Sequence, residues 1–284
     1  MTMHFVVAGV GYTGRRVCFR LPRTALVCLN RSVVSGLPDG VTTLRLDLDH
    51  AAPEIIQLPA PCTVLYTIPP RATDEPDSRL AGFLAGLAAD VHRIVYLSTT
   101  GVYGNRHGET VTEQDSPMPE TDRAQRRLAA EKLLGAWCEE NQTELIILRV
   151  PGIYGPGRIG RERITAGEPV IAESESSPGN RIHVDDLAAC CVTAMTAPVP
   201  PGAYNVGDGD HRSSTWFSQS VAALLKLPPL PEISRAKALE TFGDMRLSFL
   251  AESRIVDTSK MREVMGFTPT YTDPIDGIRV SLAE

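Results

Sequence analysis

Three glycines spaced G-x-G-x-x-G (Gly9, Gly11 and Gly14) follow the apolar run Phe5-Val6-Val7-Ala8 and open a helical pattern. A strand and a helix joined this tightly leave backbone N–H groups pointing outward, and the helix dipole adds partial positive charge there, so such a turn can hold a pyrophosphate. Gly9 makes the tight turn, Gly11 lets phosphates approach the backbone, and Gly14 lets helix and strand pack closely. The spacing alone is a weak signal; a strand before it and a helix after it make it a dinucleotide-binding turn, the alternative being a glycine-rich turn with no ligand. Tyr12 and Thr13 lie inside the turn, and Arg15 follows it directly. The next strand ends in Asn30-Arg31-Ser32, where an NAD-preferring fold usually puts Asp or Glu against the ribose 2′-hydroxyl. A carboxylate there would repel a 2′-phosphate; Arg31 and Ser32 can bind one, with Arg15 in reach. The expected cofactor is therefore NADP, with NAD as the alternative, and the other reading of Arg31 is a solvated strand-end charge. Asp47, near the end of the third strand, stands where the adenine edge usually lies.

The elements that position these residues are legible in outline. Apolar runs at 25–29, 41–48, 63–68, 93–98 and 144–150 alternate with helical patterns at 12–21, 78–90 and 122–141. That alternation predicts an α/β fold, a Rossmann-type doubly wound parallel sheet with right-handed crossovers. From Pro151 loops become frequent, with helical patterns at 184–197, 214–225 and 259–265. We expect residues 1–150 to be the dinucleotide-binding part and 151–284 a smaller, mainly substrate-binding part, with the segment at about 180–207 returning to the first. The net charge of −6 gives no support to a nucleic-acid or anionic-membrane partner, since both call for a basic face. No apolar run approaches the roughly 18 residues of a membrane span, and the chain enters its first strand with no room for a signal peptide. Six cysteines show neither C-x-x-C nor zinc spacing; buried thiols in a cytoplasmic protein are expected, and no metal site is.

Several stretches together resemble the extended short-chain dehydrogenase/reductase superfamily, in family order and over nearly the whole chain. They are the glycine turn, Leu97-Ser-Thr-Thr-Gly-Val-Tyr-Gly104, Leu148-Arg-Val-Pro-Gly-Ile-Tyr-Gly-Pro-Gly157, Arg181-Ile-His-Val-Asp-Asp-Leu187, Tyr204-Asn-Val-Gly207 and Gly266-Phe-Thr-Pro269. The resemblance implies a nicotinamide cofactor and a catalytic set of a Ser or Thr after the fifth strand, a Tyr, and a Lys four residues after the Tyr. Thr99 matches the Ser/Thr position. The Glu that follows the family's Lys by four residues matches Glu131, which puts Arg123 at the Tyr position and Arg127 at the Lys position. The chain thus resembles atypical members, epimerase/dehydratase-like, that lack the Tyr-x-x-x-Lys pair. The resemblance also implies that Thr67 and Pro151 join the glycine turn, Asn30, Arg31, Ser32, Asp47 and Arg127 in holding the cofactor.

An Arg keeps its proton at any pH the chain meets, so Arg123 cannot be the proton-transfer acid/base, whereas Arg127 can still bind ribose. Tyr103 is the first candidate to replace the missing Tyr, with packing as its alternative. Tyr12, Tyr154, His107 and Glu109 are weaker candidates, and His183 and Asp185 read as structural. Arg158, Arg161 and Arg163 form a basic cluster that can meet an anionic group or be a solvated helix face. Two functions follow: an NAD(P)-binding oxidoreductase or epimerase/dehydratase-like protein acting on a small polar or sugar-like substrate, or a non-catalytic NADP-binding sensor. The resemblance further implies a homodimer through the helices at 78–90 and 122–141, the second offering Leu128, Leu133, Leu134 and Trp137.

Overall fold

Consecutive residues of each central strand bury themselves on opposite sides, as a strand covered on both faces must do. In β1 (His4–Ala8) Val7 joins one core while Val6 and Ala8 join the other. In β2 (Leu26–Asn30) Leu26 and Cys28 part in the same way from Val27 and Leu29. The computed structural model describes residues 2–49, 55–72, 77–87, 90–243 and 252–283. With β3 (Thr42–Arg45), β4 (Cys62–Tyr66), β5 (Val91–Thr99), β7 (Glu144–Val150) and a strand at Gly202–Asn205, the chain builds a seven-stranded sheet, while the two-residue β6 (Thr110–Val111) pairs outside it with Ile255–Val256. Numbering the remaining short strands β8 (Gly152–Tyr154), β9 (Val170–Ile171) and β10 (Arg181–His183) makes the Gly202–Asn205 strand β11, and the order is β11-β7-β5-β4-β1-β2-β3, all parallel. This is the predicted Rossmann-type α/β fold. Strand β3 is the edge and all four of its residues are exposed.

Helices cover both faces. On one lie α1 (Tyr12–Cys18) and, after α2 (Ser78–Gly86), α3 (Asp122–Glu140) and α4 (Arg161–Thr165), the helix α5 (Val184–Thr196). On the other lie α2 and α3, with Leu80, Phe83, Leu84, Ala130 and Leu134 in the core. The predicted helix at 78–90 ends at Gly86, and residues 88 and 89 lie outside the described ones. Asp185 pairs with Arg20 at 2.9 Å and Arg16 at 3.4 Å, tying α5 to α1. Arg93, buried at the start of β5, donates to the carbonyls of Ala194, Ala197 and Val199, capping the end of α5. The segment at 184–205 is therefore part of the sheet layer. A third core, around Tyr154, Ile164, Val221 and Ile278, joins α4, α6 (Ser214–Leu224) and the last helix (Pro274–Ala283). Among the described residues no helix is long and apolar enough to cross a membrane.

The residues named above for a dimer face are used inside the chain. Leu134 is in the core, Leu133 and Trp137 pack against it, and Leu128 packs on Val102, Tyr103, Val111 and Val256. All six cysteines are buried free thiols, with the Cys18 and Cys28 sulfurs 3.3 Å apart.

One buried carboxyl gives the fold a pH dependence. Asp208 accepts from the Asp210 amide at 2.9 Å through Oδ1, while Oδ2 has no partner among the described residues. Burial pushes its pKa up to about 7, against partial relief from the Asp210 amide and Arg181. A group raised on folding stabilises fully below its unfolded value, and that contribution is lost as pH rises through the folded value. At roughly 1.4 kcal/mol per pH unit, the loss between about pH 4 and pH 7 reaches up to about 4 kcal/mol. Asp208→Asn is expected to flatten this slope in urea melts across the range; an unchanged slope would show that Asp208 does not carry it.

Candidate functional site

The glycine turn is shaped by what each position touches. Gly9 has φ +96°, and a Cβ there would lie 2.5 Å from Thr67 Oγ1. Thr67 donates that hydroxyl to the Gly9 carbonyl at 2.6 Å, so its task here is to hold the turn. A Cβ on Gly14 would overlap the Gly9 carbonyl oxygen, which is why α1 can start so close to β1. Gly11, which precedes α1, is different: a Cβ there would meet no atom within 4 Å. Nothing in the described protein requires a glycine at that position, whereas a ligand lying on the turn would. The Asn30 side chain accepts from the Val10 amide at 3.3 Å and donates to the Ser32 carbonyl at 2.9 Å, joining the glycine turn to the end of β2.

Gly9, Gly11, Asn30 and Thr67 line a cavity of about 330 Å³ with Arg31, Asp47, Leu48, Asp49, Ile68 and Arg79. At its outer end one carboxylate meets three guanidinium groups. Asp49 is 2.7 Å from Arg31, 2.5 Å from Arg79 and 3.6 Å from Arg71. The Arg79 hydrogen bond, outweighing the cost of desolvation and joined by Arg31, holds the Asp49 carboxyl down at about 2. Asp47 accepts the Asp49 amide at 3.0 Å, fixing this corner. Arg15, expected in the same place, instead donates to the Gly36 carbonyl at 3.0 Å and is not among the lining residues. Sequence reasoning missed Asp49, Arg71 and Arg79, which lie in loops and a helix with no motif.

A second cavity, of about 510 Å³, opens beside the end of β5 and brings Thr99, Arg123, Pro151, Arg158, Glu252 and Arg254 together. Pro151 faces this cavity and is not among the residues of the first. Thr99 Oγ1 accepts from the Gly101 amide at 3.1 Å, which leaves its O–H to be donated. Arg127, one turn along α3 from Arg123, donates to the Tyr96 hydroxyl at 3.0 Å and the Leu97 carbonyl at 2.8 Å. Arg158, in the second cavity, lies 4.0 Å over the Tyr12 ring, and the Tyr12 hydroxyl donates to Pro156 O at 2.9 Å, so this charge is seated on the start of α1. Arg254 is held by Glu252 at 2.8 Å and by the Gly104 carbonyl at 2.6 Å.

Tyr103 does not fit the role expected of it. It is fully buried, lines neither cavity, donates to Asn205 Oδ1 at 2.7 Å and accepts from Arg149 at 2.9 Å. Burial raises its pKa, outweighing Arg149, and a proton-relay Tyr needs the opposite. Its place is in a buried chain that runs from Ser98 through Glu131 and Arg149 to Asn205. Tyr154 is likewise buried, packed edge-on to His183 and Phe217. His107 and Glu109 are exposed on their loop, and Arg161 and Arg163 are exposed on α4. His183 is buried, takes the Asp185 amide at 3.2 Å and meets Ser281 at 3.2 Å.

Comparison with known proteins fits this architecture. The sequence pattern of the NAD dependent epimerase/dehydratase family matches residues 80–207. Protein YeeZ of Escherichia coli K12 is 29% identical over 192 residues, 67% of this chain and 63% of YeeZ. The alignment thus spans less than two thirds of that relative. A functionally unknown conserved protein from Silicibacter pomeroyi superposes with a TM-score of 0.80 at 26% identity, over 99% of both chains. MoeE5, in complex with UDP-glucuronic acid and NAD, shares the fold with a TM-score of 0.73 at 24% identity, over 99% of this chain and 98% of MoeE5. Over residues 80–207 the chain is thus similar to the NAD dependent epimerase/dehydratase family, and over its full length it shares the fold of such proteins.

Proposed function

We propose that the chain binds NADP in preference to NAD and serves an epimerase/dehydratase-type oxidoreduction of a small polar or sugar-like substrate, in a site without the family's Tyr. The observation that carries the dinucleotide is Gly11, whose missing side chain faces open space on a turn otherwise packed to contact. Gly9, Gly11, Asn30 and Asp47 line the space for the adenosine end, beside Thr67. Tyr12, Thr13 and Gly14, in the first turn of α1, lie on the pyrophosphate side. A nicotinamide dinucleotide held by these residues would supply reversible hydride chemistry. Thr99 donates its O–H to a substrate oxygen, Arg123 steadies negative charge without moving a proton, and Arg127 offers its remaining donors to the ribose. Glu252 is the one carboxylate among the described residues of the second cavity and is the group there able to accept a proton. The chain would assemble as a homodimer through α2 and α3, which sedimentation at micromolar concentration tests.

The preference for NADP rests on charge. Arg31, Arg71 and Arg79 meet Asp49 at the outer end of the first cavity, with Asp47 beside it, and Arg31 is the most exposed of the three. A dianionic 2′-phosphate arriving from outside can take charged hydrogen bonds from Arg31 and a further one from Ser32. NADP is expected to bind at least about tenfold more tightly than NAD. Arg31→Ala should remove about 1.5–3 kcal/mol of NADP affinity, the worth of a charged hydrogen bond, and leave NAD nearly unchanged. Calorimetric titration measures both, and equal affinity for the two dinucleotides would sink the NADP assignment.

A second reading is favoured by the inward turn of Tyr103, which leaves no tyrosine hydroxyl among the described lining residues. On that reading the chain binds NADP and reports on it without turnover. Stopped-flow absorbance of NADPH with sugar and hydroxy-acid substrates separates the two: hydride transfer with any of them supports the enzyme, and none despite tight binding supports the sensor.

A further inference from the structure

We infer that Cys18 and Cys28 form a modification site, which a peroxide converts to a disulfide that ties the end of α1 to β2 and weakens dinucleotide binding. The disulfide stands by itself, while its effect on binding rests on the function proposed above. Cys18 is the last residue of α1 and Cys28 the middle one of β2. They are 0% and 2% exposed, in one core with Val7, Val17 and Leu26. Their sulfurs lie 3.3 Å apart, one thiol donating to the other. An S–S bond of about 2.05 Å therefore needs the two sulfurs to close by little more than an ångström.

The pair also differs chemically from the other cysteines. The hydrogen bond from Cys18 holds the Cys28 thiol below its ordinary value against the pull of burial. Burial instead pushes Cys62 up to about 11, and Cys138 and Cys191 up to about 12. The thiolate is the reactive form, so Cys28 reacts first. Its sulfur attacks one oxygen of hydrogen peroxide, the O–O bond breaks, and the released hydroxide takes up the proton that Cys28 had lost, giving water. The Cys28 sulfenic acid is then attacked by Cys18: the S–S bond forms, the S–O bond breaks, and the oxygen leaves as a second water with the Cys18 proton. Two electrons pass from the sulfurs to the peroxide. A molecule this small can reach the pair where α1 ends, since helix ends fray and the next residue, Phe19, is 55% exposed. The closure is felt at the glycine turn. Helix α1 has only seven residues, and Gly14 in its first turns is packed so closely on the Gly9 carbonyl that no Cβ fits, so drawing in the far end tilts the helix. Cys28 is followed on β2 by Leu29 and Asn30, whose side chain receives the Val10 amide at 3.3 Å. The amides that would meet a pyrophosphate are thus turned from both sides, and hydrogen bonds weaken with misalignment.

Hydrogen peroxide added to the reduced full chain, followed by thiol blocking and peptide mass mapping, tests the site. A Cys18–Cys28 crosslink is expected, with two of the six thiols consumed and both restored by dithiothreitol. No crosslink between them, or an equal yield of crosslinks through the other cysteines, overturns the inference. Titration calorimetry with NADP should then show binding weakened about fivefold or more in the oxidised chain. Cys28→Ala should bind as the reduced wild type does and keep that affinity after peroxide; if it melts early, Cys18→Ala serves for the same comparison. Crosslinked protein that binds NADP as tightly as the reduced form overturns the effect on binding, and so does an alanine variant that loses affinity on oxidation. No NADP heat even from the reduced chain fails the dinucleotide reading and this effect with it, while the peptide map still decides the disulfide.

Discussion

Gly11→Ala is expected to leave the melting temperature unchanged and to weaken dinucleotide binding by about tenfold or more. Gly14→Ala, three residues on, should lower both. The difference follows from what a methyl group meets at each place. At Gly11 it finds no protein atom within 4 Å, and the backbone, at φ −87°, suits any residue. Its cost arises only when a pyrophosphate tries to close on the turn, where each charged hydrogen bond lost is worth about 1.5–3 kcal/mol. At Gly14 the methyl would collide with the Gly9 carbonyl, backbone against backbone. Helix α1 must then back away from β1, an overpacking cost of about 1–3 kcal/mol. Thermal melts and NADP titration on the two variants measure the contrast, and a Gly11→Ala protein that binds as the wild type does would remove the dinucleotide from this turn.

The second large effect is expected at Glu131. Its carboxylate receives Arg149 at 2.8 Å and 3.3 Å and the Ser98 hydroxyl at 2.5 Å, with the two charged side chains 5% and 8% exposed. Burial works against the Arg149 charge, yet the bonds to Glu131 and Tyr103 outweigh it and raise its pKa. Glu131→Ala strands that charge in the interior, and breaking a buried pair in this way costs about 3–5 kcal/mol. Removing both ends, as Glu131→Gln with Arg149→Met, should cost less than Glu131→Ala alone. Urea unfolding of the three proteins tests the ordering, and a Glu131→Ala loss below about 1 kcal/mol would mean that the pair contributes little.

The sheet was readable because its strands are covered on both faces and therefore appear as unbroken apolar runs; β7 spans 144–150, as its pattern predicts. The last helix, Pro274–Ala283, went unread although Asp273-Pro274 signals its start: Asp273 accepts the Ile275 amide at 3.0 Å, and Pro has no N–H to leave unpaired. The first cavity was half legible. The glycine turn and Asn30-Arg31-Ser32 are contiguous in sequence, whereas Arg79 reaches Asp49 from a helix thirty residues away. Arg254 and Glu252 enter the second cavity from beyond residue 250, where no local pattern distinguishes them from surface charges. Tyr103 is the instructive miss: Tyr-Gly after a strand looks the same whether the ring turns toward a cleft or, as here, toward Arg149.

The grip of Arg93 on the end of α5 bears on where this chain can be cut. A fragment stopping at residue 150 would keep that guanidinium at the foot of the sheet but lose all three carbonyls that answer it. It would also bare the flank of β7 that β11 zips shut, and strip away the greasy side of α5. The chain is therefore not autonomous up to residue 150: the N-terminal half is expected to come out of expression as aggregate, and only the intact polypeptide to stay in solution.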